Sequence, residues 1–338
     1  MCYKAASCPI FLTMSYKSVA LEQRIGQYIQ QVSFSESPCS LYEPIKYILS
    51  IGGKRVRPVL TLLATDLFGG NLDESMDAAI GLEVFHNFSL LHDDLMDKAD
   101  RRRGQLTVHK KWSDNTAILS GDAMLIEAYN YISRVPQQHI REALQLFSST
   151  AMEVCRGQQF DMDFENRNDV DEAEYLEMIR LKTAVLIGCS LKMGAILADA
   201  TLENADLIYQ FGIQIGLAFQ LKDDLLDVYG GPDVFGKNIG GDIVSNKKTY
   251  LLIKALKLAD AHQKRELHHW LTLESFDTND KIFAVKSIYD SLYLRTICEN
   301  LIEKYYLEAM DCLSAINVAD DRKKELIRYT DNLMYREK

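Results

Sequence analysis

The chain has 338 residues, 47% of them hydrophobic and 9% aromatic, which is enough apolar content to bury a large core and excludes a disordered chain. A formal charge of -10 excludes a broad nucleic-acid surface, which needs clustered lysine and arginine against the phosphate backbone. Seven cysteines without paired short spacing exclude a disulfide framework or a zinc pattern and predict reduced thiols in a cytoplasmic setting.

The opening MCYKAASCPIFLT is too short to span a bilayer and weak as a signal peptide, so residues 1–13 read as an extension, with Met14 an alternative start and 14–338 one domain. No later stretch approaches the roughly 18 apolar residues of a membrane span, so no membrane insertion is expected. The prolines at 9, 38, 44, 58, 136 and 232 leave long stretches for helices, and the chain reads as all-α. The first informative segment is Gly52-Gly53-Lys54-Arg55-Val56-Arg57-Pro58, a glycine turn with basic residues ahead of a helix predicted to start near Pro58. A solvated loop is the ordinary meaning of such a segment, yet arginine forks and a helix N-terminus also suit phosphate.

From Glu74 to Asp97 the apolar residues Met76, Ile80, Val84, Phe88, Leu91 and Leu95 recur at three- and four-residue steps, predicting one long helix. Further helices are predicted over Thr116 to Ser133, Ile140 to Val154, Ala173 to Ala200, Ala205 to Tyr229, Leu251 to Ala259 and Ile282 to Leu313. Breaks are expected at Gly69-Gly70-Asn71, Val135-Pro136, Gly230-Gly231-Pro232 and Gly240-Gly241-Asp242. Two of these helices end in the same acidic signature, Asp93-Asp94-Leu95-Met96-Asp97 and Asp223-Asp224-Leu225-Leu226-Asp227. Asp93 and Asp97 share a face with His86 and Ser89; Gln220, Asp223 and Asp227 form the equivalent stripe.

Like charges one turn apart destabilise a helix by a few tenths of a kcal/mol, and a helix C-terminus is the wrong end for anions. A cation should compensate. Magnesium suits the pattern, because it takes one or two carboxylates and completes its octahedron with water and phosphate oxygens. Local pairing of Asp94 with Lys98 and Asp97 with Arg101 offers the first motif a plain surface role. The second has no such escape, since Val228 follows Asp224 by four residues. More base lies at Arg101-Arg102-Arg103-Gly104 and at Lys247-Lys248.

Together GGKRVRP, EVFH, HDDLMD with RRG, GQQFD, KTA, FQLKDDLLD and GKNIGGDIVSNKKT resemble the trans-isoprenyl diphosphate synthases, or polyprenyl synthetases, of the farnesyl and geranylgeranyl type, from about Tyr42 onward. The resemblance implies a single-domain antiparallel helical bundle around a deep central cavity, the isoprenoid synthase type I fold, and a homodimer. It implies prenyl diphosphate substrates and magnesium, three ions per site with bound diphosphate. By motif, Asp93, Asp97 and Asp223 become magnesium ligands, with Asp94 and Asp227 as inner or supporting partners, and Asp224 and Lys182 join the catalytic set. Arg102, Lys182, Thr183, Gln220, Lys237 and Lys247 fall around the allylic diphosphate, and Lys54, Arg57, His86 and Arg103 around isopentenyl diphosphate.

Leu106 stands where proline is common, and Ser245-Asn246 where Glu-Gly is common; both put loop geometry in doubt and leave the charges intact. A lone histidine such as His86 is ordinarily a core residue, but its stripe with Asp93 favours the site. Lys182 and Lys192 could each snorkel from an apolar helix; only Lys182 lies in the KT motif. Gln158 and Asp161 fit a supporting role or an exposed helix face equally.

The implied reaction is magnesium-dependent head-to-tail condensation of isopentenyl diphosphate with dimethylallyl, geranyl or farnesyl diphosphate, needing no side-chain nucleophile. Phe88 lies five residues before Asp93, about 7.5 Å along the helix axis. It is the expected floor for the growing chain. With small Ser89 beside it and Phe85 as the deeper candidate, geranylgeranyl diphosphate (C20) is the expected product, ahead of farnesyl diphosphate (C15). A terpene cyclase would carry a differently spelled second motif, and a non-catalytic partner subunit would have lost one acidic or basic cluster.

Overall fold

The computed structural model describes residues 16–32, 37–230 and 240–334. The extension at 1–13, Met14, Lys237 and most of the turn expected at Gly230-Gly231-Pro232 lie outside the described residues.

The molecule is all-α, as expected. Helices α1 (Tyr16–Gln31), α2 (Cys39–Ser50), α3 (Val56–Phe68) and α4 (Leu72–Met96) lead into a hairpin of two short strands, β1 (Arg101–Arg102) and β2 (Gln105–Leu106). There follow α5 (Val108–Lys111), α6 (Asp114–Ile132), α7 (Ile140–Glu165) and α8 (Glu172–Ile179), a π-helical turn (Arg180–Ala184), α9 (Val185–Leu197) and α10 (Leu202–Tyr229). The last third comprises α11 (Gly241–Val244), α12 (Tyr250–Leu258), α13 (Ala261–Thr272), α14 (Thr278–Ser291), α15 (Leu294–Ala315) and α16 (Asp320–Met334).

Helix α4 begins where the Asn71 side chain accepts from the Asp73 amide, with Asp73 and Glu74 in the first turn to complement the dipole. It packs against α3 and α6; α9 packs against α3 and α10, and α10 also lies against α15. Phe85, Phe147 and Phe211 are among the largest fully buried side chains of the core so formed. Both acidic motifs therefore sit on helices fixed by burial on several sides.

Three expected helices differ in extent. Ile140 to Val154 continues to Glu165, because Gly157 weakens the sequence signal without ending the helix. Ala173 to Ala200 is interrupted by the π turn at Arg180–Ala184. The span Ile282 to Leu313 is two helices, parted where Tyr293 adopts a left-handed φ of 55°. Apolar periodicity runs through that break because Tyr289 and Leu294, on either side, both enter the core.

Candidate active site

A cavity of about 1140 Å³ opens between α3, α4, α7, α8 and α10, and one side of it is a carboxylate wall. Asp93, Asp94 and Asp97 line it from α4 and its C-terminal end, Asp223 and Asp224 from α10, and Asp161 from α7. Lys182 reaches across this wall, its Nζ donating to Asp161 Oδ2 at 2.6 Å and to Asp93 Oδ1 at 3.0 Å. Burial opposes the Lys182 charge, yet Asp93 and Asp161 together hold its pKa above the ordinary lysine value.

The π turn explains how Lys182 gets there. Val185 N–H bonds to Arg180 C=O, five residues back, which inserts one extra residue into the helix. Both Lys182 and Thr183 line the cavity, and the Thr183 hydroxyl donates to Gln220 Oε1 at 3.0 Å. Helix α7 lies against this turn through Gly157, where an added Cβ would come within 2.3 Å of the Lys182 backbone nitrogen.

The aspartates of each motif differ in environment. Arg102 Nε donates to Asp94 Oδ2 at 2.7 Å, and its Nη2 lies 3.7 Å from Asp93 Oδ2. The helical pairs Asp94–Lys98 and Asp97–Arg101 do not form; the backbone leaves the helix at Lys98, whose φ is 52°, and Arg101 donates to Gly104 C=O. Asp97 is pushed up to about 6, first by the shelter of the concavity and then by Asp93. On α10, buried Asp224 accepts from the Tyr175 hydroxyl and from Gln220 Nε2 at 3.0 Å; burial and Asp242 push it up to about 7. Asp227 is absent from the cavity lining, and its Oδ2 accepts from the Asp242 amide at the start of α11.

The cavity lining is also basic. Lys54, Arg55, Arg57, Arg101, Arg102 and Arg103 line it together with His86. Arg55 is a scaffold: Nη1 donates to Glu83 Oε1 and Nη2 to Leu49 C=O, each at 2.6 Å, inside the protein. Arg57 Nη1 lies 3.0 Å from His86 Nε2. Arginine has no acceptor, so His86 Nε2 must accept and the ring is the neutral Nδ1–H tautomer. Burial, followed by Arg57 and Arg103, holds the His86 pKa well below its ordinary value. Burial also pushes Arg57 down to about 10, and its Nε is buried without a protein partner.

Arg103 and Gly104 form the hairpin tip with φ of 51° and 77°, the positive pair of a type I′ turn. Leu106, where proline is common in the family it resembles, is simply the strand residue opposite Arg101. The tip folds back so that Arg103 donates to Gly52 C=O. At Gly53, φ is 135°, a backbone conformation that favours glycine, and the Arg103 guanidinium lies where a Cβ would be. The deep end is aromatic: Phe88 and Ser89 line the cavity with Phe85, and Phe88 packs on Phe85 at 5.5 Å, itself braced by Phe147 at 5.2 Å.

Residues 38–292 match the polyprenyl synthetase family model, and the relatives agree. The chain belongs to the polyprenyl synthetase family. It is therefore a prenyltransferase. It is 41% identical over 222 residues to the geranylgeranyl diphosphate synthase of Methanosarcina mazei, covering 65% of this chain and 68% of that one. It is 36% identical over 310 residues to the geranylfarnesyl diphosphate synthase of Aeropyrum pernix, covering 90% and 96%. Its fold superposes on the crystal structure of a geranylgeranyl pyrophosphate synthase with a TM-score of 0.90 at 44% identity, covering 95% of this chain and 99% of that one.

The cavity unites Asp93, Asp94, Asp97, Asp223, Asp224, Lys182, Thr183, Gln220, Lys247, Arg102 and the basic wall. It does so for every site residue named from the sequence except Asp227 and the undescribed Lys237. Sequence reasoning left Asp161 between two roles, named Glu83 only within the EVFH motif and passed over Tyr175 altogether. Nothing marks Tyr175 along the chain, since it reads as one more apolar position of α8. Among the described residues all cysteines are free thiols, and no helix is long and apolar enough to cross a membrane.

Proposed function

We propose that this prenyltransferase condenses isopentenyl diphosphate head-to-tail with allylic diphosphates, in a magnesium-dependent reaction ending at the C20 all-trans product, geranylgeranyl diphosphate. One observation carries this: a single cavity lined by carboxylates from α4, α7 and α10 together with a cluster of arginines. At about 1140 Å³ it exceeds the roughly 300–1,000 Å³ that serves one drug-sized ligand, leaving room for two substrates.

The donor set fits magnesium. Asp93, Asp97 and Asp223 offer hard oxygen ligands, and Asp97, raised first by burial and then by Asp93, is a carboxylate whose charge a divalent cation would favour. Magnesium needs only one or two carboxylates from the protein and completes its shell with water and phosphate oxygens. Asp94 and Asp227 support these ligands from behind, through Arg102 and α11, and three ions per site accord with a fully bound diphosphate. When bound, magnesium would supply Lewis-acid stabilisation of the departing diphosphate.

The chain's own residues orient and shield. Lys182, Arg102, Lys247, Thr183 and Gln220 hold the allylic diphosphate so that its C–O bond breaks inside the cavity. Arg57, Arg103, Lys54 and the His86 Nδ1–H hold isopentenyl diphosphate, whose double bond attacks the allylic cation. His86 cannot serve as the base, because Arg57 occupies its Nε2; the final proton goes to the departed diphosphate. The relatives differ in product, so length rests on Phe88 and Phe85. Exposed Ile118, Leu119 and Ile126 on α6 and Met152 on α7 favour a homodimer, and free thiols fit the cytoplasm. Both carboxylate clusters and the basic wall are present, which disfavours a non-catalytic subunit.

The test is to incubate the protein with magnesium, isopentenyl diphosphate and each of dimethylallyl, geranyl and farnesyl diphosphate, and to size the products. Asp93→Ala and Asp223→Ala should each lower turnover by at least about 10²-fold with unchanged melting. Near-normal turnover in either variant would sink the metal assignment.

A further inference from the structure

Lys281, on α14, is fully buried, and among the described residues no carboxylate lies within ion-pair distance of it. Its Nζ donates to Asn246 Oδ1 at 2.7 Å and to Val244 C=O at 3.2 Å, and sits 4.2 Å from the centre of the Phe276 ring. A lysine in the interior is costly unless its charge does something specific there. Here both hydrogen-bond acceptors, Val244 C=O and Asn246 Oδ1, belong to the segment from α11 to Thr249.

Asn246 is held from both ends of its amide. Oδ1 accepts from Lys281, while Nδ2 donates to Leu271 C=O, near the end of α13, at 3.1 Å. Its backbone is left-handed, with φ of 57°, a conformation that asparagine tolerates and glycine adopts freely. The next residue is Lys247, whose amide donates to Asp242 C=O at 2.9 Å. Lys247 lies at the cavity wall, where Asp161, Asp242, Asp224 and Asp93 outweigh burial and raise its pKa. At the other end of α11, Asp227 accepts from the Asp242 amide. The short α11 thus hangs between the second acidic motif and Lys281.

We propose that Lys281 and Asn246 are positioning residues, a buried clamp that fixes the α11 loop so that Lys247 points at the allylic diphosphate. The placement of Lys247 rests on the function proposed above. Neither clamp residue touches the cavity: Lys281 acts through Asn246, and Asn246 through the backbone it shares with Lys247. A lysine suits the task because its ammonium donates to two acceptors at once and faces an aromatic ring.

The test compares Asn246→Gly, Lys281→Met, the double variant and Lys247→Met in the full-length protein, reading KM and kcat for farnesyl and isopentenyl diphosphate separately. Asn246→Gly keeps the left-handed backbone and removes only the clamp. Each clamp variant should raise the allylic KM about tenfold, as a misplaced binding group does, with the isopentenyl KM unchanged. The double variant should be no worse than the poorer single one, because the two residues act as a unit. Lys247→Met should show the same selective rise. If Lys247→Met raises the allylic KM and both clamp variants leave it unchanged, the clamp is refuted. If Lys247→Met has no effect, the assignment of Lys247 fails first. Should Lys281→Met not fold, Asn246→Gly decides alone, since glycine accepts that φ without strain.

Discussion

Replacing Gly157 with alanine would separate stability from catalysis at the π turn. The new Cβ would start 2.3 Å from the Lys182 nitrogen and 2.7 Å from the Leu181 carbonyl carbon, where ordinary contact begins at 3.4 Å. The obstructing atoms are backbone, so no side-chain rotation relieves them. Either α7 or the π turn must retreat by about 1 Å, a strain typical of overpacking at about 1–3 kcal/mol. Against this, alanine gains about 1 kcal/mol over glycine within a helix. The net loss of about 0–2 kcal/mol moves melting by only a few degrees. Catalysis should suffer more. Lys182 Nζ holds its two carboxylates at 2.6 and 3.0 Å, and a displacement of about 1 Å breaks at least one of these bonds. Misplacement on that scale costs up to about 10²-fold in rate. The assay is kcat/KM for the allylic substrate beside a thermal melt. An unchanged kcat/KM with an unchanged melting temperature would show that the close approach does not set the position of Lys182.

Phe88→Ala should lengthen the product. With that ring gone, the next obstacle is Phe85, about 4.5 Å deeper along the helix and braced by Phe147, so about one further isoprenyl unit should fit. Product sizing checks this, and an unchanged product would move the floor to Phe85. Tyr175→Phe removes a donor from buried Asp224 and leaves Gln220 as its hydrogen-bond partner among the described residues, which should cost about 1–3 kcal/mol in urea denaturation. An unchanged midpoint would mean that another group, or a water, satisfies Asp224.

The chemistry was legible wherever it lay along one helix. Asp93, Asp97 and Asp223 announce themselves because crowding like charges at a helix C-terminus costs free energy that only a cation recovers. Arg57, Arg102 and Arg103 were legible as concentrations of base in an acidic chain. The helical class followed from few prolines and three-to-four-residue periodicity. The ends of α14 and α15 were not, because Tyr289 and Leu294 keep the apolar rhythm across the break.

Sequence alone therefore determined the helical class, the two acidic helix ends that call for a cation and, through the family resemblance, the reaction class, since apolar rhythm and charge crowding are properties of single elements. Only the tertiary structure decided which carboxylate does what. Asp224 lies buried beneath Tyr175, Asp227 caps α11, Asp94 belongs to Arg102, and Lys182 reaches Asp161 and Asp93 from a π turn. Each of these is a contact between separate segments, set by how helices pack. The same holds for the buried Lys281, which along the chain is one lysine among many and in the fold stands under Asn246, next to Lys247.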